Sequence, residues 1–343
     1  MRYKYWVITF VMLTFLCSAG LGVSNYLLDP FGLRSVEDKD FYNISRTDIS
    51  YLYPVKIAQK APYYLVGTSR TGRINLSIAA RYLQAHIMRV GSGGQTLQES
   101  LFLIKHIKAN GGCFISGFDT FSLNTHYSSS DRLQNAFTVT TNENLLMLYM
   151  HPRTTQASLR YLRNKFFSQP HNKVFNVYDS EVGKNNSYQE IESNYFINGK
   201  QNFHFYILYR SYAVDIQKIL ELAHLADSKD IVIIFPKYAY YYKLFAKYGV
   251  QEPYFQAIKL LVENTNARVF SFYGINSITL NKDNFDDNAW HFKPKIGNLI
   301  LARIFKDDSI EVPKDFGVEL TKDNIDTYLN TLRIQIRDYN PSE

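Results

Sequence analysis

The sequence predicts an α/β domain, a three-layer αβα sandwich on a parallel, doubly wound sheet of about five strands, preceded by one N-terminal transmembrane helix. Residues 5–28 contain no Asp, Glu, Lys or Arg, and about 20 apolar residues suffice to cross a bilayer. In the rest of the chain, short β-rich apolar runs alternate with longer amphipathic segments, which is typical of a parallel sheet covered by helices. The chain has 343 residues, 46% of them apolar and 20% charged, so it can bury such a core.

The charges that flank the apolar run predict its orientation. Arg2 and Lys4 precede it and Asp29 follows it, and basic residues favour the cytoplasmic side of a membrane. Residues 1–4 are therefore expected to form a cytoplasmic stub, with 5–28 as a single-pass anchor and the bulk of the chain on the other side.

A cleavable signal peptide is the alternative for this segment. Ser18 and Ala19 follow Cys17 and offer small residues at a cleavage site. The apolar stretch, however, continues through Val23 and Leu28 and is longer than the ~7–15 residues of a typical signal-peptide core. The anchor is therefore the favoured interpretation.

Five apolar runs are expected to form the sheet, and amphipathic segments are expected to connect them. The strand candidates are Tyr63–Val66, Ile87–Val90, Cys113–Phe118, Ile231–Phe235 and Arg268–Tyr273. The helix candidates between and after them are Arg73–Leu83, Thr96–Lys108, Phe203–Ala226, Pro253–Asn264 and a last helix from Pro294 to Ile304.

Four regions follow the anchor. Residues 29–50 are expected to form a stalk, and 51–312 the α/β domain. Residues 125–202, rich in Asn, Ser, Thr and Tyr around one helical pair, interrupt the alternation and are interpreted as an insertion that forms a lid or rim. Residues 313–343 are expected to be a peripheral tail with one short helix.

The net charge favours some binding partners over others, and the cysteine count limits disulfide formation. Lysine and arginine exceed the acids by 38 − 31 = 7, a mild excess that suits anionic lipid or glycan better than nucleic acid, because no basic run interleaved with aromatics occurs. The two cysteines, Cys17 in the anchor and Cys113 in the body, allow no disulfide within the exported part.

No cofactor or metal is expected. The histidines in and just after the insertion lack paired ligand spacing, and the glycines after the first strand lack the lysine of a nucleotide-binding loop. Those histidines are His126, His151, His171 and His204.

Two segments carry the candidate chemistry. Ser69 follows the first strand at the carboxyl edge of the sheet, where ligands bind in open α/β folds. His291 precedes the last helix, with acids just upstream, and a histidine so placed can act as a general base oriented by a carboxylate. Alternatively, Ser69 is only a helix cap and His291 an incidental loop residue.

These segments resemble the SGNH (GDSL-like) hydrolase superfamily, in its membrane-anchored branch associated with bacterial exopolysaccharide and cell-wall acylation. The resemblance covers about residues 63–304 and rests on three short motifs. They are Asp29-Pro30-Phe31-Gly32, Gly67-Thr68-Ser69-Arg70 and His291-Phe292-Lys293-Pro294.

The resemblance implies catalytic roles at four positions. Ser69 matches the nucleophile and His291 the base, and Gly91 matches the glycine whose N–H helps to bind the oxyanion. The superfamily's triad acid stands three residues before the histidine, where this sequence has Asn288. Asp287, one residue earlier, is therefore the expected acid, or else the site is weak or inactive.

Other residues are expected near the substrate. Asp119 stands where the superfamily's oxyanion asparagine is expected, and Asn124 comes several residues later. Arg70 could bind an anionic group of a glycan, or alternatively form a salt bridge to Asp119. Tyr240, in an aromatic run after the fourth strand, could stack on a sugar or belong to the core.

The resemblance implies a serine esterase or O-acyltransferase on an acylated envelope polysaccharide, in the bacterial inner (cytoplasmic) membrane with its body periplasmic. A membrane-bound O-acyltransferase is a further expected partner. The alternative is a catalytically inactive protein of the same fold that binds glycan or docks on such an acyltransferase.

Overall fold

The computed structural model describes residues 2–35, 52–126, 133–134, 136–137, 145–167, 187–197, 212–286 and 289–341. Within them, one sheet of six strands runs in the order β2-β1-β3-β4-β5-β6. The strands are β1 (Tyr63–Val66), β2 (Ile87–Arg89), β3 (Cys113–Gly117), β4 (Ile231–Ile234), β5 (Arg268–Ser271) and β6 (Val318–Leu320). The first five are parallel, and β6 is antiparallel to β5. The predicted α/β class and the five predicted strands are confirmed.

The helices begin and end close to the predicted bounds where the two can be compared. Those described are α1 (Arg2–Leu28), α2 (Leu52–Ala58), α3 (Leu76–Leu83), α4 (Leu97–Ala109), α5 (Leu145–Met150), α6 (Pro152–Phe167), α7 (Tyr188–Glu192), α8 (Ile216–Leu225), α9 (Ala239–Lys247), α10 (Gln251–Asn264), α11 (Ser277–Leu280), α12 (Pro294–Phe305) and α13 (Ile325–Asp338). The predicted helix Phe203–Ala226 is shorter at its start, because residues 212–215 are not helical and 203–211 lie outside the described residues.

Hydrophobic clusters cover both faces of the sheet. Tyr64 and Val66 of β1 point into one cluster, together with residues of α4, α8, α10 and α13. Leu65, between them, points into the other, together with residues of α3, α9 and α12. Side chains alternate between the faces of a strand, and strands buried on both faces read as unbroken apolar runs. This burial is why the strands were recognisable in the sequence.

The C-terminal region is not peripheral, contrary to the sequence expectation for 313–343. Strand β6 pairs with β5 through Val269 and Leu320, and Leu329, Leu332 and Ile336 of α13 are buried in the core. The strand was missed because three residues carry too little periodicity to be recognised.

The N-terminal helix is long and apolar enough to span a membrane, and this part of the anchor prediction is confirmed. Its end is fixed to the body. Asn25 is buried and donates hydrogen bonds from Nδ2 to the carbonyl of Tyr149 (2.7 Å) and to Oγ1 of Thr155 (2.9 Å). The helical pair α5 and α6 of the predicted insertion therefore packs on the end of α1, where the sequence suggested a lid over the sheet.

The exit from α1 is a compact turn. Asp29 adopts positive φ (44°), and its carboxylate accepts the backbone N–H groups of Leu33, Arg34 and Ser35. The first part of the predicted stalk is thus folded onto the domain, and residues 36–51 lie outside the described residues.

Candidate active site

Ser69 lies just beyond the carboxyl end of β1, as predicted, on a five-residue 3₁₀ turn, Ser69–Arg73. The α-helix begins only at Leu76, after an Asn75 cap. Thr68 is the N-cap of the 3₁₀ turn and accepts the N–H of Arg70 through its hydroxyl. Because Thr68 supplies the cap, the hydroxyl of Ser69 is available for another interaction.

His291 provides that interaction. Its Nε2 is 2.7 Å from Oγ of Ser69, across 222 residues of chain. The structure therefore brings together the two residues from which the catalytic hypothesis started.

The acid beside His291 is Asp286. Its Oδ2 is 2.9 Å from Nδ1 of the imidazole, so the expectation that Asp287 takes this position is wrong. Asp287 and Asn288 lie outside the described residues. Asp286 stands five residues before the histidine, and a tight hairpin closes this gap.

That hairpin has a clear hydrogen-bond pattern. The N–H of Asp286 donates to the carbonyl of His291 (2.8 Å), and the N–H of Ala289 donates back to the carbonyl of Asp286 (2.8 Å). Phe285 and Phe292 form an antiparallel bridge below, and Ala289 adopts positive φ (54°). Residues opposite each other in such a pair lie side by side, which places the carboxylate next to the ring.

The site favours a neutral histidine and an ionised acid. Burial lowers the pKa of His291, and the hydrogen bond and charge of Asp286 offset this only in part. Burial raises the pKa of Asp286, but the hydrogen bond and charge of His291, with the charge of Arg73, outweigh it and leave that pKa below its usual value. With Nδ1–H donated to the carboxylate, Nε2 is left as an acceptor for the serine proton.

Gly91 lies against the backbone of the serine strand. A Cβ at this position would be 2.5 Å from the carbonyl oxygen of Gly67 and 2.9 Å from Oγ1 of Thr71. Only glycine fits this approach, which brings the end of β2 close to the turn that carries Ser69. In the described part of the chain, the backbone N–H groups of Gly91 and Ser69 donate no hydrogen bond to another protein group. An N–H group that binds an oxyanion must be available in this way.

Arg70 and Asp119 lie beneath the site and not at its mouth. Both side chains are almost fully buried and form an ion pair, and Arg70 also donates to the carbonyl of Trp290 (2.9 Å). The expectation that Arg70 and Asp119 bind substrate is therefore corrected, and the alternative salt bridge is confirmed. Lys237 completes the cluster, with its Nζ 3.2 Å from Oδ1 of Asp119.

The charges of this cluster are coupled through Asp119. Burial raises its pKa, but the charges of Arg70 and Lys237 outweigh this and hold the pKa well below its usual value. Burial and the charge of Arg70 lower the pKa of Lys237 to about 7, although Asp119 opposes the shift. The Trp290 ring faces both cations. Its centroid lies 4.5 Å from Cζ of Arg70 and 4.3 Å from Nζ of Lys237. The cluster thus links the turn that carries Ser69 to Trp290, the residue before His291.

Asn124 and Tyr240 lie outside the triad. Asn124 is buried and accepts the N–H of His126 through Oδ1 (3.1 Å), and its backbone forms an isolated antiparallel bridge with Val214. The Tyr240 ring is half-buried and packs on Tyr238, with 4.5 Å between centroids. Tyr238 in turn contacts Phe285, at the start of the histidine hairpin. Tyr240 thus lies beside the hairpin and in an aromatic cluster.

A contact that the sequence did not predict joins the segment that carries Ser69 to the segment that carries His291. Gly297, in the first turn of α12, packs on the backbone of Arg73, and a Cβ there would overlap the Arg73 carbonyl oxygen. The helix after His291 therefore rests directly on the turn that begins with Ser69. The Pro294-x-x-Gly297 spacing marks a close helix contact in the sequence, but does not reveal its partner.

Among the described residues, no group of three or more His, Cys, Asp or Glu side chains is placed to hold a metal ion. Comparison with known proteins identifies no relative: no family model, no curated protein and no solved structure matches the chain.

Proposed function

We propose that the protein is a membrane-anchored serine esterase or O-acyltransferase of the SGNH type that acts on acylated envelope polysaccharide outside the cytoplasm. One observation carries the catalytic part of the proposal. Ser69 Oγ lies 2.7 Å from His291 Nε2, and His291 Nδ1 lies 2.9 Å from Asp286 Oδ2. Nucleophile, base and acid in this sequence of contacts define the machinery of acyl transfer.

The fold supports the assignment to this superfamily. The parallel strands follow the order 2-1-3-4-5, which is the doubly wound, flavodoxin-like order. Ser69 follows β1 and Gly91 follows β2, so both lie at the carboxyl edge, where such folds bind ligands. The motif at Gly67–Arg70 follows β1 and the motif at His291–Pro294 leads into α12, which supports the proposed resemblance.

The geometry gives each residue a step. His291 Nε2 takes the Ser69 proton while Oγ attacks the ester carbonyl carbon, and the N–H groups of Ser69 and Gly91 bind the oxyanion. The imidazolium, held by ionised Asp286, then gives its proton to the departing sugar oxygen, leaving an acyl-serine. Water or a second sugar hydroxyl transfers its proton to Nε2 and attacks the acyl carbon. The bond from that carbon to Ser69 Oγ then breaks, Nε2 returns the proton to Oγ, and an acid or a new ester is released. Hydrolysis and transfer therefore share every residue.

The experiment is labelling of the purified full chain with a fluorophosphonate, which reacts with an activated serine. Native protein should label and hydrolyse a small acetyl ester, whereas Ser69→Ala should do neither. Ser77→Ala, the same change at an exposed position in α3, should behave as the native chain. If native protein neither labels nor turns over, the proposed activity is wrong, and the same fold would serve to bind glycan or a membrane acyltransferase.

The charges around α1 are the basis for the proposed membrane topology. Arg2 and Lys4 precede the apolar segment, so residues 1–4 should be cytoplasmic and the body outside. Protease added to intact spheroplasts should digest the body. If the body resists the protease until the membrane is lysed, the proposed orientation is wrong.

A further inference from the structure

Helix α6 (Pro152–Phe167) exposes large apolar side chains at the end of α1. Leu159 is 62% exposed, Phe166 69% and Phe167 85%. Its other side is buried against the body through Thr154, Ala157 and Ser158. The outward line Gln156, Leu159, Arg163 and Phe166 follows the three- and four-residue spacing of one helix face.

The same helix is basic. It contains four basic residues and no Asp or Glu. They are Arg153, Arg160, Arg163 and Lys165. Basic residues combined with Leu and aromatic side chains on an amphipathic helix are typical of helices that lie in the interface of anionic membranes.

The position of α6 along α1 is fixed. Residues 5–24 of α1 rise about 30 Å, the thickness of the hydrocarbon core. In the last turn of this span Gly22 packs against Met150, which ends α5, and just beyond it Asn25 bonds to Tyr149 and Thr155. The start of α6 is therefore held at the level of the lipid headgroups whenever α1 crosses a bilayer.

We propose that α6 is an interfacial helix that binds the anionic lipid surface around the anchor and so sets the orientation of the body on the membrane. Its Phe and Leu side chains enter the headgroup boundary, and its Arg and Lys side chains pair with lipid phosphates. The inference rests on the proposed membrane anchor and not on the proposed catalysis.

Depth-dependent quenching in reconstituted full chain tests the proposal. Phe167→Cys, in a Cys17→Ser and Cys113→Ser background, carries an environment-sensitive fluorophore in vesicles of phosphatidylcholine and phosphatidylglycerol. Lipids spin-labelled near the headgroup should quench this probe more strongly than lipids labelled at the chain end. A probe at Leu13→Cys, within α1, should show the opposite order.

A charge variant separates lipid binding from tethering alone. Arg160→Gln, Arg163→Gln and Lys165→Gln together should reduce quenching at position 167 at least twofold, as should vesicles of phosphatidylcholine alone. The matched change of three exposed lysines elsewhere, at Lys229, Lys314 and Lys322, should leave it unchanged.

The outcomes are distinguishable. Quenching at 13 without quenching at 167 overturns the interfacial helix and leaves this face to a protein partner. Absence of quenching at both positions overturns the anchor and the inference with it. Fluorophosphonate labelling of the same vesicles reports on the catalytic proposal independently.

Discussion

The Asp286 carboxylate accepts three hydrogen bonds from His291 and the residue before it. Oδ2 accepts Nδ1–H of the imidazole (2.9 Å), while Oδ1 accepts the backbone N–H groups of Trp290 (3.2 Å) and of His291 itself (3.1 Å). The acid thus fixes both the ring and the backbone that carries it. Removing the charge should therefore affect the chemistry, and removing the side chain should also affect the loop.

Asp286→Asn should lower kcat for ester turnover by roughly 10⁴, because an amide cannot stabilise the imidazolium and favours the wrong tautomer. Asp287→Asn, the same change one residue later, should leave kcat within about twofold. Steady-state kinetics on a small acetyl ester measures both. Equal losses in the two variants would contradict the assignment of Asp286 as the triad acid.

The rate should rise with pH through the titration of His291. Only the neutral imidazole accepts the serine proton, and the pKa of His291 is lowered from its ordinary value of 6.5. The profile of kcat/KM should therefore reach half its plateau below pH 6.5. Because Asp286 raises this pKa, Asp286→Asn should move the midpoint to still lower pH. A midpoint well above 6.5 in the native chain would show that the buried, neutral histidine is not the titrating base.

Gly91→Ala should impair both stability and turnover. The added Cβ would lie 2.5 Å from the Gly67 carbonyl oxygen, so the end of β2 must move away from the Ser69 turn. Displacement of an oxyanion donor by about 1 Å costs on the order of 100-fold in rate. Gly93→Ala is the matched control, because a Cβ there meets no atom within 4 Å. Turnover and thermal unfolding of the two variants should differ clearly.

Lys237 should make stability increase with pH in the alkaline range. Its pKa falls from 10.5 in the unfolded chain to about 7 in the folded protein. Between these values the unfolded state binds more protons, so the free energy of unfolding rises with pH; below about pH 7 both states are protonated and this contribution is constant. Lys237→Met keeps the length of the side chain and the Arg70 ion pair but removes the titration.

The melting temperature of the native chain should therefore rise relative to Lys237→Met between pH 7 and pH 10, as followed by circular dichroism. Lys229→Met, at an exposed position, serves as the control and should follow the native chain. Parallel curves for native protein and Lys237→Met would show that Lys237 stays charged in the fold.

Local pattern was enough to predict the five parallel strands of the sheet and the two central residues of the site. Strands buried on both faces produce apolar runs, and Ser69 and His291 follow elements whose positions those runs define. The acid was misplaced because the number of residues between Asp286 and His291 does not reveal a hairpin whose turn includes Ala289 in a left-handed conformation.

The sequence offered the salt bridge between Arg70 and Asp119 only as an alternative, and it did not reveal that Lys237 joins this pair, for a different reason. Charged residues are rarely buried unless they are paired, and the pairing partner Lys237 comes 118 residues after Asp119. Such long-range electrostatic contacts have no periodicity. The docking of α5 and α6 on α1 is equally nonlocal, since Asn25 and Tyr149 are 124 residues apart.

The contact of Gly297 with Arg73 has a consequence for how the molecule matures. Ser69 leaves the ribosome early in synthesis, but His291, Asp286 and the helix that rests on the Ser69 turn come more than 200 residues later. Contacts of such sequence separation form slowly, after the loops between them have closed. An emerging or truncated chain that ends before Asp286 can build most of the parallel sheet and still hold an unactivated serine. Under the proposed mechanism, acyl transfer can therefore begin only once nearly the entire chain has been synthesised and folded.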